Sequence, residues 1–230
     1  MIWLIVSVPV FWPVEPGREA ARRIAAGARF KRGVLEVILE QLKPPPAGWL
    51  LRSDLAHSSA LISVRVSDEA LAGNNSDFDS KAKVADRRVR SALELSPADS
   101  ILWLMLYSLT TSRVGFDTDD IRLLEQSYSS GPLEGGVATS RNRISLAVFS
   151  LLDNAMQQRT ISEFAAIVDS GLIEDAASIL ASIGWNQRDR LLAGLSGVGL
   201  VERELLAKRL AREGLIVAVP GIQLDERFQR

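Results

Sequence analysis

Residues 85–106 read Ala-Asp-Arg-Arg-Val-Arg-Ser-Ala-Leu-Glu-Leu-Ser-Pro-Ala-Asp-Ser-Ile-Leu-Trp-Leu-Met-Leu, and this stretch decides the fold. One helix runs through Ala85 and Ala92, whose small side chains let a neighbouring helix approach closely. Pro97 has no amide donor and restricts the residue before it, so this helix must stop near Ser96. Asp99 is placed to cap the next helix. Within that helix Trp103 and Leu106 stand at i, i+3 on one face and are expected to fill the gap left by the alanines.

Working outward, helical periodicity continues almost everywhere beyond Glu15. Gly17–Ala26 and Gly33–Leu42 read as two short helices, and Pro44-Pro45-Pro46 forces an extended connector after them. Trp49–Ala72 reads as one long helix. A polar loop, 73–80, leads to a helix over Lys81–Leu95 with Ser80 as its cap, and the Pro97 break is followed by a helix over Asp99–Thr111. Asp117 or Thr118 caps a helix over Asp119–Ser130, and Gly131-Pro132 ends it. A further helix carries Val137, Ile144, Val148, Leu151 and Leu152. Four more are expected at Ser162–Asp169, Ile173–Ile183, Asn186–Leu195 and Val201–Arg212, punctuated by Gly171, Gly184, Gly197, Gly199 and Gly214. The tail from Pro220 shows no periodicity and is expected to fray.

The junction at Ala85, Ala92, Pro97, Trp103 and Leu106 resembles the joint between two tetratricopeptide repeats. Pro132 follows Pro97 by 35 residues, close to the ~34-residue period of that family. The resemblance covers 49–153. It departs at Val89, where a large aromatic is usual, at Tyr107, where a small residue is usual, and at Gly135-Gly136-Val137-Ala138, where a tryptophan is typical. The resemblance implies an all-α fold, a short α-solenoid of antiparallel helix pairs with additional C-terminal capping helices. The expected organisation is an apolar N-terminal segment at 1–16, leader helices at 17–48, repeats at 49–153 and a C-terminal helical region at 154–230 packed on the repeats.

Composition narrows the function classes. The 230 residues carry a net charge of -1, which argues against a nucleic-acid surface. There is no cysteine, so disulfides, thiolate metal sites and cysteine nucleophiles are excluded. Ile2–Val14 is apolar except for Ser7 and is interrupted by Pro9 and Pro13. It is shorter than the ~20 residues of a spanning helix. It reads as the remaining half of a membrane anchor, as a short interfacial anchor flanked by Trp3 and Trp12, or as a core element. The arginines and lysine at 18–32 would hold the main domain in the cytoplasm, and a basic start upstream would reverse that. An apolar leader, a proline break and degenerate repeats also resemble envelope proteins found beside bacterial surface-polysaccharide machinery. That likeness implies association with the bacterial inner membrane and a periplasmic domain, with a cytoplasmic one as the alternative.

No catalytic, metal or cofactor site is expected. His57 is the sole histidine, and without neighbouring ligands it reads as a helix-surface or interface residue. Asp117-Thr118-Asp119-Asp120 and Asn74–Asp79 carry oxygen ligands, but the first sits at a helix start and the second lacks the glycine and distal glutamate of a calcium loop. Ser80-Lys81-Ala82-Lys83 matches Ser-x-x-Lys without its companion motifs. Gly197-Val198-Gly199 lacks a preceding strand and a third glycine.

The remaining candidate is a groove. Ile101, Leu104, Ser108 and Thr111 share one helix face, and in the repeat register Arg143 would stand beside them with paired donors for a carboxylate or phosphate. A solvated or salt-bridged face is the plainer reading of Arg141-Asn142-Arg143. The expected function is a non-catalytic scaffold holding a protein or peptide partner. An accessory subunit of a membrane polysaccharide complex is the alternative, and an enzyme with an unrecognised site built around His57 is the third.

Overall fold

A computed structural model describes residues 15–223 apart from 26–27, 29, 32, 43–48 and 133–134. The apolar stretch 1–14 and the triple proline lie outside the described residues. The described chain is all-α, with eleven α-helices joined by turns and short 3-10 segments. Among these residues no helix is long and apolar enough to cross a membrane.

The chain divides into two compact units, Met1–Gly131 and Pro132–Arg230. The division falls at the Gly131-Pro132 break, inside the 49–153 stretch expected to form a single array.

In the first unit, α1 spans Glu15–Ala25, α2 Val34–Gln41, α3 Trp49–Ala72, α4 Phe78–Leu95, α5 Ser100–Val114 and α6 Ile121–Ser130. The α1 helix is thus described from Glu15, two residues before the expected Gly17. The organising element is α3. Ala60 and Val64 pack with Ala82, Ala85, Val89, Ala92, Leu102 and Leu106 of α4 and α5. Ile62 and Val66 pack with Ala20 of α1 and Leu35 of α2. Two residues along a helix turn through about 200°, so these i, i+4 pairs lie on opposite sides. A helix apolar on both sides must be central, and this one carries α1 and α2 on one side and α4 and α5 on the other.

The 85–106 junction folds as its residues dictate, with one exchange. Ala85 and Ala92 are fully enclosed. The α4 helix ends before Ser96, and the Asp99 side chain accepts from the Leu102 amide at 3.3 Å, capping α5. The gap over the alanines is filled by Leu102 and Leu106, which are buried at i, i+4. Trp103, expected to fill it with Leu106, lies one position round the helix. It is half-buried at the edge of this cluster, and its indole N–H donates to the Pro97 carbonyl at 2.8 Å.

Two helix starts differ from the sequence reading. The α4 helix begins at Phe78 behind Asp77, so Ser80 lies inside it and not at its cap. Phe78 packs against the core cluster, and this contact draws the helix start back. Asp117 does cap as expected, accepting from the Asp119 amide at 2.9 Å, but a 3-10 turn over Thr118–Asp120 precedes α6.

The second unit holds α7 Gly135–Ala147, α8 Asn154–Asp169, α9 Ile173–Ala181, α10 Arg188–Ala193 and α11 Leu200–Arg212. The α8 helix starts well before the expected Ser162, because Asp153 accepts from the Met156 amide at 2.7 Å and caps it there. Gly171 and Gly214 take left-handed φ values of 75° and 78° just past helix ends, where an L side chain would be strained. Phe164, Ile179, Leu180, Leu191 and Leu206 form the enclosed centre. Within it, Arg141 of α7 donates from Nε to Glu163 of α8 at 2.9 Å, with both side chains buried. Asn142 donates to the Thr160 carbonyl at 2.8 Å. The solvated or salt-bridged face expected at Arg141-Asn142-Arg143 is thus salt-bridged at Arg141 but buried there and at Asn142, a polar layer that joins α7 to α8.

Candidate functional site

The expected binding strip is only partly open. Ile101, Ser108 and Thr111 are half-buried, and Leu104 is 5% exposed. Ser100 shares a face with Leu104 at i, i+4, and its carbonyl accepts the Ser127 hydroxyl of α6 at 2.8 Å. This bond holds α6 against the start of α5, and Leu104 is enclosed. Beside it, burial raises the Tyr107 hydroxyl above the usual tyrosine range, with the Thr111 hydroxyl opposing. Arg143 belongs to the second unit, where it donates to the Ser178 hydroxyl at 3.0 Å.

A more open site lies along the seam of α2, α3 and α4. A hollow of about 230 Å³ is lined by Glu36, Leu39 and Glu40 of α2, Ser63 and Val66 of α3, and Ser80, Lys81, Val84 and Arg88 of α4. Its floor is apolar and its rim is charged. Lys81 stands 3.1 Å from Asp77 and 3.5 Å from Glu36, and these carboxylates hold its ammonium above the usual lysine range. The second carboxylate oxygen of Glu36, Oε2, is enclosed and makes no hydrogen bond. An enclosed acceptor left unmet is costly, so this oxygen marks a place where a donor would be welcome.

Val84 and Arg88 also line an adjoining hollow of about 380 Å³, with Ala56, Ser59, Arg87 and Ser91. Arg88 donates from Nη1 to the Ser63 hydroxyl at 2.7 Å, and that hydroxyl donates to the Ser59 carbonyl at 2.6 Å. Burial holds the Arg88 guanidinium below its usual range, and the like charge of Arg87 acts in the same direction. The two hollows adjoin at Val84 and Arg88, which line both, and together make up the groove; Glu36 and Glu40 line the first hollow and Arg87 the second.

This groove was not singled out in the sequence. Arg87 and Arg88 sit in a charged run that reads as a solvated face. The signal present was spacing. Lys81, Lys83 and Arg90 each have an aspartate four residues earlier and pair with it. Arg87 and Arg88 have no Asp or Glu three or four residues away on either side.

His57 is neither exposed nor alone. Its Nδ1 lies 2.7 Å from Asp99 Oδ2, while Asp99 Oδ1 serves the α5 cap. It also borders a cleft of about 350 Å³ with Arg18, Arg22, Asp54 and Ser58. In this cleft Arg18 pairs with Asp54, and Arg22 pairs with Glu19 at 2.8 Å. The Asp99 carboxylate fixes the imidazole orientation as a carboxylate does beside a general base. Among the described residues, however, His57 has no hydroxyl at hydrogen-bond distance to activate. Its visible work is to tie α3 to the start of α5. Among the described residues no group of three or more His, Cys, Asp or Glu side chains is placed to hold a metal ion.

Comparison with known proteins returns no matching family model, curated relative or solved structure.

Proposed function

We propose that the chain is a helical interaction module that holds a peptide segment of a protein partner in the α2–α3–α4 groove. The observation that carries this reading is the complementarity of the groove to a peptide. At one end the enclosed Glu36 Oε2 lacks a donor. At the other, Arg87 and Arg88 lack a carboxylate partner among the described residues. Leu39, Val66 and Val84 supply apolar lining. A peptide offers amide donors, acceptor groups and apolar side chains along one line, which is what such a groove can satisfy.

The tetratricopeptide-like solenoid remains the architectural reading that best accounts for this arrangement. Supporting it are the close Ala85 and Ala92 packing, the Pro97 break and the sequential packing of α3 on α4, α4 on α5 and α5 on α6. The groove differs from the one the repeat register implies, in which Leu104 is enclosed.

The test is affinity purification from cell extract with wild-type protein and with Leu39→Asp, Val84→Asp and Arg90→Gln variants, each first shown to melt cooperatively. The reading expects co-purifying proteins that are lost with the two groove variants and kept with Arg90→Gln. A partner set recovered unchanged by both groove variants would overturn it.

A further inference from the structure

The basic end of the groove has chemistry of its own. Every other cation of α4 is neutralised by an aspartate one turn earlier, Lys81 by Asp77, Lys83 by Asp79 and Arg90 by Asp86. Arg87 and Arg88 are the two cations of this helix left without a carboxylate among the described residues, and both line the same hollow. The charge of Arg87 acts against that of Arg88, and an anion bound beside both would offset it.

The geometry around them favours a particular anion. Ser63 accepts one N–H of Arg88 and is itself fixed by its bond to the Ser59 carbonyl. Arg88 is thus held in place with the rest of its donor fork still available. Ser59 and Ser91 line the hollow beside the two arginines, adding hydroxyl donors. A carboxylate brings one negative charge and two oxygens. A phosphate monoester brings close to two charges and three acceptor oxygens in a tetrahedral array. Two guanidiniums and two hydroxyls match the second set in both charge and donor number.

We infer that Arg87 and Arg88, with Ser59 and Ser91, form a site for a phosphate monoester carried by a peptide partner, a phosphoserine or phosphothreonine side chain whose neighbours lie in the apolar part of the groove. This rests on the groove reading above and names the group recognised there. Partner binding would then be switched on by phosphorylation of the partner.

The test follows the Nε–H resonances of Arg87 and Arg88 in the full chain by NMR, at pH 7.5 and matched ionic strength. The probes are N-acetyl-phosphoserine N-methylamide, inorganic phosphate and sodium acetate. The expected result is a saturable shift of both resonances with the capped phosphoserine, at least about tenfold tighter than with acetate and tighter than with inorganic phosphate. Arg87→Gln and Arg88→Gln should each weaken it by about tenfold or more, and Arg90→Gln should leave it unchanged. Arg88→Lys keeps the charge and loses the fork, so it guards against misfolding of the glutamine variant. It should bind weakly while keeping the wild-type amide spectrum. Equal binding of acetate, equal binding of inorganic phosphate, absence of a saturable shift, or indifference to Arg87→Gln, Arg88→Gln and Arg88→Lys would each overturn the inference. Such a failure is separable from failure of the groove reading, because Leu39 does not line the hollow of Arg87, and partner loss with Leu39→Asp is read without either arginine being changed.

Discussion

His57 and Asp99 are 42 residues apart in the chain, yet His57 Nδ1 and Asp99 Oδ2 meet at 2.7 Å. The same carboxylate caps α5 through its other oxygen. One acidic side chain therefore ends a local problem, the open amides of a helix start, and makes a long-range joint to α3.

That double duty predicts unequal effects. Asp99→Ala removes both interactions and should cost about 1–2 kcal/mol. His57→Ala removes the joint alone and should cost about 1 kcal/mol or less, since the pair is partly solvated. A double-mutant cycle by urea unfolding should show coupling of about 0.5–1 kcal/mol. Zero coupling would mean that the contact contributes nothing.

The exchange of Trp103 for Leu102 in the core gives a ranking. Leu102→Ala should cost about 2–5 kcal/mol, because it opens a cavity against Ala85 and Ala92. Trp103→Phe keeps most of the apolar contact and loses the bond to the Pro97 carbonyl, so it should cost about 1 kcal/mol. Denaturant midpoints measure both, and the reverse order would contradict the placement of Trp103 at the cluster edge.

Arg141 and Glu163 predict the largest single effect in the second unit. Glu163→Gln removes the buried carboxylate charge that Arg141 Nε meets at 2.9 Å and should cost about 3–5 kcal/mol. Arg141→Met combined with Glu163→Leu should recover part of that loss, because apolar contact replaces a desolvated ion pair. Unfolding of each variant, followed by an intrinsic Trp185 signal, checks the order.

Asp79 supplies a pH dependence. Its hydrogen bond from Lys83, helped by Arg113, holds its carboxyl below the usual value of 3.8. A carboxyl lowered in the folded state contributes stability that is complete above its unfolded value. The contribution is lost as pH falls through the folded value. Thermal melts of wild type and Asp79→Asn should therefore differ at neutral pH and converge as pH falls below the usual carboxylate range. A difference that stayed constant into acid would show that the ion pairs are not its source.

Much of the helical plan was legible in local sequence. Pro97, Asp99, Asp117, Gly171 and Gly214 act on the backbone within one turn of themselves, so their effects could be read without a partner. The start of α4 was misplaced because Phe78 is drawn into the helix by a core that local pattern does not contain. The groove was illegible for a related reason. Whether an arginine is solvated or lines a hollow depends on which helix lies opposite it, and the α2 and α3 residues that line the groove stand 22 or more residues before Arg88 in the chain.

The sequence by itself determined that this chain is helical, where its main breaks fall and which residues cap them, because capping, proline exclusion and 3.6-residue periodicity are short-range effects. Only the tertiary structure decided that α3 is the central helix, that Leu102 and not Trp103 fills the space over Ala85 and Ala92, and that His57 joins Asp99. It also decided that Arg141 is buried while Arg87 and Arg88 line an open groove. Those outcomes depend on which faces meet, and burial sets the cost of leaving a charge or a hydrogen-bonding group unmet.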